Sequence, residues 1–329
     1  MRGVLIREFG PIESHKLEDV PAPVPGDDEV LINVHAIGVN FPDTLMLQGL
    51  YQKKPARPFV PGRDIAGVVA AVGKKVTRCK VGERVVALVW WGGYAEQTVA
   101  PQSRVFHMPQ GLDYVTAAGM FTVFNTAYVS LVVRGLYQPG ETVLVNGAGG
   151  GVGSSCVQVA KAKGATVIAG DITEAKRQLA KENGADSTID LSVGDLNENL
   201  RQQVFALTNG RGVDIVLDPV GGDVFDASLR VLAFAGRIVT IGYTSGRLPV
   251  VKANYLNVKN LSAVGVALDL HFDHAPQTME KVVADLFDMY VKGKIRPKIT
   301  ATYPLAEFQK PLTLLHQGKA MGKMVLTVR

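Results

Sequence analysis

The sequence predicts an α/β chain of two domains, a small partly open β-barrel and a doubly wound parallel sheet. Three observations predict it. Short strand-like runs fill the first 120 or so residues, a strand, glycine-rich turn, helix and strand follow one another from Gly140 to Ala169, and a βα period runs on from Thr142.

The barrel comes first in the chain. Met1 to Arg7 and Glu29 to Ile37 carry strand-like apolar patterns, separated by an extended linker containing Pro21, Pro23 and Pro25. Ile65 to Val72, Glu83 to Val89 and Gly93 to Ala100 continue the series, punctuated by Gly73, Gly82 and the Gly92, Gly93 pair. Strands this short and this closely spaced suit a small barrel. From Leu112 to Leu136 the pattern turns helical: Asp113 offers a cap, and Val115, Ala118, Met120, Val123, Ala127 and Val129 are apolar. A break is expected near Gly119, and these helices are expected to bridge the domains.

Thr142 to Asn146 is a β-branched, apolar run of the kind a strand buried on both faces requires, and it leads directly into glycine. After the turn, Val152, Cys156, Val159 and Ala160 form one apolar stripe of a helix, which Gly164 ends as a left-handed cap. Ala165 to Ala169 then supplies the next strand of a right-handed βαβ unit. Glycines at 147, 149, 150, 151 and 153 let the backbone turn tightly and approach a pyrophosphate. The GxGxxG spacing itself falls on Ala148, Gly150 and Gly153, so its first position is alanine; strand, turn and helix nonetheless occur in the order a dinucleotide site needs.

Further strands are expected at 187–190, 213–217, 237–241 and 261–266, completing a doubly wound sheet. Asp171 ends the second strand 18 residues past Gly153 (171 − 153), where a carboxylate accepts hydrogen bonds from a ribose 2′-hydroxyl and repels a 2′-phosphate; that favours NADH. Lys176 and Arg177 on the following helix could hold such a phosphate if Asp171 is turned away.

Composition narrows the classes. The chain has 329 residues, 47% hydrophobic content and a net charge of +5, enough for two cores and compatible with an anionic cofactor. Two cysteines, Cys79 and Cys156, make neither a disulfide framework nor a four-cysteine zinc lobe, so reduced thiols and a cytoplasmic protein are expected. No apolar run is expected to approach the length of a membrane span. His271, Asp273 and His274 lie close together but lack a third partner at a ligand spacing and are expected in a polar loop.

The residues Gly140, Glu141, Leu144, Ala148, Gly149, Gly150, Gly151, Gly153, Gln158 and Lys161 resemble the signature of the zinc-free quinone oxidoreductases, the zeta-crystallin family within the medium-chain dehydrogenase/reductase superfamily. The resemblance implies a GroES-like catalytic domain over 1–122, a Rossmann domain over 123–270 and a return segment, 271–329, that completes the first domain. Zinc-using relatives take their ligands from a cysteine, a histidine followed by an acid, and a second cysteine. The matching positions here carry Asn40 in GVNFPD, Arg63 in PGRDIAG and, nearby, Thr122, so no metal is expected.

Without a Lewis acid, hydride transfer to a quinone or a conjugated carbonyl compound is the reaction that hydrogen-bond donors alone can assist. The stretch GVNFPDTLMLQGLY resembles the family's GxNxxDxxxxxGxY, which implies that Asn40 orients the cofactor ribose or the substrate oxygen and that Tyr51 donates to the substrate. Arg63 could clamp an anionic substrate such as an acyl thioester, or pair with Asp64 or Asp43. Gly150, Gly151, Val152, Gly153, Asp171 and Lys176 are the expected cofactor contacts, joined by resemblance with Thr126, Gly242 and Lys323. The resemblance favours NADPH and implies a homodimer formed near Lys259 to Val266. An enoyl thioester reductase is the rival enzyme, and a crystallin-like or RNA-binding role the rival of another class, supported by charge alone.

Overall fold

The computed structural model describes residues 1–329, and the chain divides into two units, Met1–Thr122 with Pro297–Arg329, and Val123–Arg296. Residues 271–296, expected with the return segment, pack in the second unit. The helix Pro276–Val291 buries Met279, Val282, Val283, Leu286 and Met289, an apolar stripe that needs a core to cover it.

In the first unit a seven-stranded mixed sheet is built on the long strand Glu29–Gly38, whose buried and half-buried residues alternate with the period of two that a one-sided strand requires. It pairs antiparallel with Asp64–Val72, Gln97–Pro101 and Lys323–Thr327, so the C-terminal strand closes onto the N-terminal sheet. Val30, Ile32, Val34, Ile37, Ile65, Val85 and Leu326 fill its core. The helix Tyr114–Tyr128 runs through Gly119 without a break. Glycine is there because a Cβ would overlap the Ile299 side chain, a close approach of helix to strand.

The helix continues as π-helix over Val129–Arg134. The 21-residue stretch Tyr114–Arg134 is therefore long and apolar enough to cross a membrane, contrary to the sequence expectation; 78% of its most apolar window is buried within the protein, so that apolarity belongs to a core.

The second unit is a six-stranded sheet in the order 187–190, 166–171, 142–146, 213–218, 232–240, 262–265, every pair parallel. By position in the unit this is 3-2-1-4-5-6, with the order reversing between Thr142–Asn146 and Val213–Asp218. The fifth strand starts five residues before the expected 237 because it carries an irregularity at Ala235 (φ 59°), which breaks the apolar run that marks a strand in sequence. His271, Asp273 and His274 lie on the helix Leu268–His274 rather than in a loop.

Candidate active site

Each unit gathers its own group of the expected residues. In the first, Asn40 caps the helix Phe41–Leu47: its backbone N–H donates to Asp43 Oδ2 at 2.8 Å, one half of a capping box. Its side chain Nδ2 donates to the Gly38 carbonyl (3.2 Å) and to Asp64 Oδ2 (3.0 Å), and Oδ1 accepts from Lys323 Nζ at 2.5 Å. The neighbours settle which way the amide points, since an ammonium must face its oxygen and a carboxylate its nitrogen. Both amide hydrogens are thus spent within the unit, and what remains for a ribose hydroxyl is the second lone pair of Oδ1.

Asp64 is the hub. It accepts from Asn40 and from the Thr122 hydroxyl, and Lys323 Nζ stands 3.8 Å away in a buried ion pair. Lys323 is 5% exposed, and burial pushes its pKa down while Asp64 and Asp43 pull it back up. Asp43, also buried, accepts from the Tyr94 hydroxyl at 3.1 Å through Oδ2, while its Oδ1 has no partner. Burial raises its pKa from 3.8 to about 6, against the lowering effect of the Asn40 amide and the Arg63 guanidinium.

Arg63 is itself 5% exposed. Its Nη1 donates to the Tyr51 hydroxyl (3.3 Å) and its Nε to the Val89 carbonyl (3.4 Å), and the guanidinium also lies over the rings of Tyr51 and Trp90. This geometry turns Arg63 toward Tyr51. The phenol oxygen accepts from a cation, which makes its hydroxyl a stronger donor.

In the second unit the turn after Thr142–Asn146 forms a cradle. Gly147 is left-handed (φ 59°), and a Cβ on Gly153 would overlap the Gly147 carbonyl oxygen. Gly150 caps the helix Gly151–Ala162, so the first-turn amides of Gly151, Val152 and Gly153 lack intrahelical acceptors. The cradle sits at the carboxyl edge of the sheet where the strand order reverses. Two buried polar atoms without partners lie at strand ends on the same edge, Asn146 Oδ1 and Thr240 Oγ1.

Asp171 lies below the cradle and Lys176 against Gly149, whose missing Cβ would meet the Lys176 side chain. Arg177 is engaged by Glu174 and Asp190 and is not open to a phosphate. Thr126 is buried on the helix Tyr114–Tyr128, and Gly242 follows the fifth strand against the Pro219 carbonyl.

A polar trio at these strand ends lies outside the residues that the sequence motifs single out. Asn146 Nδ2 donates to Asp218 Oδ1 and reaches Ser228 Oγ, both at 2.9 Å, and Asp218 Oδ2 accepts from the Gly221 amide. Burial raises the Asp218 pKa. The signal was available, since polar residues ending otherwise apolar strands mark the edge where ligands bind.

Comparison with known proteins agrees with both units. Residues 26–110 match the alcohol dehydrogenase GroES-like domain and residues 151–287 the zinc-binding dehydrogenase model. The donor set does not fit the metal in that second description. No group of three His, Cys, Asp or Glu side chains is arranged to hold a metal ion, the cysteines Cys79 and Cys156 lie in different units, and burial pushes the Cys156 thiol up to about 12, away from the thiolate a metal needs.

The chain is 37% identical to the quinone oxidoreductase-like protein 2 homolog of Nematostella vectensis over 92% of its own length and 83% of that protein's. It is 32% identical to Homo sapiens quinone oxidoreductase over 99% and 97%. Among solved structures, the mycobacterial protein Rv1454c complexed with NADPH superposes with a TM-score of 0.93 at 34% identity, covering all of both chains. Escherichia coli quinone oxidoreductase complexed with NADPH does so with 0.91 at 28%, again over both whole chains. With matched domains, an intact glycine cradle and relatives aligned end to end, the chain belongs to the quinone oxidoreductase family of the medium-chain dehydrogenase/reductase superfamily.

Proposed function

We propose that the protein is a metal-free, NADPH-dependent oxidoreductase that reduces quinones or α,β-unsaturated carbonyl compounds. One observation carries the reading: the cradle of Gly147 to Gly153 at the point where the parallel sheet reverses order, with unpaired first-turn amides ready for a pyrophosphate. The two NADPH complexes among the similar structures support the choice of nucleotide.

When bound, the reduced nicotinamide supplies the hydride. The chain would supply the rest: Gly150, Gly151, Val152 and Gly153 would hold the pyrophosphate and Lys176 the 2′-phosphate, while Thr126 and Gly242 of the second unit and Asn40 and Lys323 of the first are the residues proposed to orient the nicotinamide end. Tyr51 donates to the acceptor oxygen as it gains negative charge, and Arg63, buried behind it, strengthens that donor by bonding its oxygen. An arginine turned inward in this way favours a neutral acceptor over the thioester reading.

The test is to mix the protein with NADPH and a panel of quinones, enones and enoyl thioesters and follow loss of the reduced-nicotinamide absorbance. Oxidation should require an added quinone or enone, and Tyr51→Phe should lower kcat roughly a hundredfold with nucleotide affinity unchanged. A protein that binds NADPH but turns over with no quinone or enone overturns the reading.

Two further proposals go with it. The two cysteines, both unpaired and buried, support a cytoplasmic location. The strand Ser262–Gly265, with one edge open and its residues largely exposed, supports a homodimer joined along that edge.

A further inference from the structure

We infer that Asp171 is a clasp on the glycine-rich loop, not a reader of the ribose, and that this is how a chain with a carboxylate at the end of its second strand takes NADPH. The inference rests on the nucleotide-binding reading above.

A carboxylate in this place can accept from the ribose hydroxyls, and its charge then repels a 2′-phosphate. Here the carboxylate is already committed. One oxygen accepts from the Gly149 amide at 2.8 Å and the other from the Ile172 amide at 2.8 Å, and the residue is 4% exposed. Bonds from backbone amides to an ionised carboxylate are the stronger kind, and two of them fix its plane.

The loop is held from a second side by the Lys176 stem, against which Gly149 has no room for a Cβ. Asp171 is braced in turn: its carbonyl accepts from Arg177 Nη1 at 3.1 Å, and Arg177 is anchored by Asp190 at 3.0 Å. The carboxylate therefore faces the loop backbone. Its work is to hold Gly149, and with it the turn leading to the amides of Gly151 to Gly153, in the conformation a pyrophosphate requires. Asp171 is a positioning residue acting on both nucleotides alike.

Titration calorimetry of the wild type, Asp171→Asn and Asp171→Ser with NADPH and with NADH tests this. The asparagine can accept from only one of the two amides and sets its own N–H₂ against the other. Affinity for both nucleotides should fall by a similar factor, roughly tenfold, with the NADPH to NADH ratio held within about twofold of wild type. A ratio that moves tenfold or more toward NADPH, by loss of NADH binding alone, would show that the carboxylate reads the ribose and would overturn the clasp. So would unchanged affinity for both, even with a lowered melting temperature, since that is the mark of a role in the fold only.

Hydrogen exchange on the wild type keeps the question open to refutation if the variants fail to fold. The Gly149 amide should be protected well beyond an open loop, and exchange at open-loop rates sinks the clasp. A wild type that binds neither nucleotide overturns the functional reading and the clasp with it, a result distinct from any change in the ratio.

Discussion

At the scale of single residues, the chemistry of the first unit lies in four buried charges, Asp43, Asp64, Arg63 and Lys323, two of each sign. A buried set of this kind is tolerated because every charge has an opposite within the same core. Asp43 is the least satisfied, with Oδ1 unpartnered and a pKa raised to about 6. The folded state then holds this proton more tightly than the unfolded chain does. The resulting stability is fully present below the unfolded value of 3.8 and is lost as the pH rises through about 6. Asp43→Asn removes the titration, so the stability of the wild type relative to this variant should fall by about 3 kcal/mol from acid to neutral pH, measured by urea unfolding. A flat difference would mean that Asp43 titrates as an ordinary carboxylate. Much of this group was legible beforehand: Asn40 and Tyr51 stand in one short motif. What sequence could not convey is that Lys323, near the other end of the chain, occupies one lone pair of Asn40 Oδ1, because that bond is made by strand pairing over 283 positions.

Among the elements, the glycine-rich turn was legible because its requirements are local. A strand, a tight turn and a helix start leave their marks within a dozen residues, and the structure places the helix at Gly151–Ala162. The uninterrupted helix at Gly119 was not legible, since that glycine answers to a side chain 180 residues downstream. The two kinds of glycine make a prediction. Gly153→Ala forces a Cβ into the Gly147 carbonyl, backbone against backbone, and should cost about 2 kcal/mol and weaken NADPH binding tenfold or more, roughly. Gly164→Ala meets nothing within 4 Å but sits at φ 89°, so it should cost about 1 to 2 kcal/mol from conformation alone and leave NADPH affinity as it was. Unfolding curves and calorimetry on the two variants separate the effects; equal losses of affinity would refute a special role for the cradle.

For the whole molecule, the sheet of the second unit ends on an open edge at Ser262–Gly265. Seven of the seventeen exposed large apolar side chains, Phe234, Tyr243, Leu248, Val250, Tyr255, Val258 and Leu270, fall in the 37 residues of 329 around that strand. Exposed apolar groups on the segments flanking a strand with unpaired backbone donors and acceptors favour a partner, because water satisfies the backbone but not the side chains. In the proposed dimer an antiparallel second copy of the same edge would answer both needs, and two-fold symmetry would close the assembly at two chains. Ala263→Lys places a charge on the exposed strand, the device by which natural edge strands resist pairing. Sedimentation should show a dimer for the wild type and a monomer for this variant. Binding of NADPH should survive, since the cradle follows the third strand in sheet order and lies three strands from the edge. A wild type that sediments as a monomer at all concentrations would assign the apolar edge to some other partner.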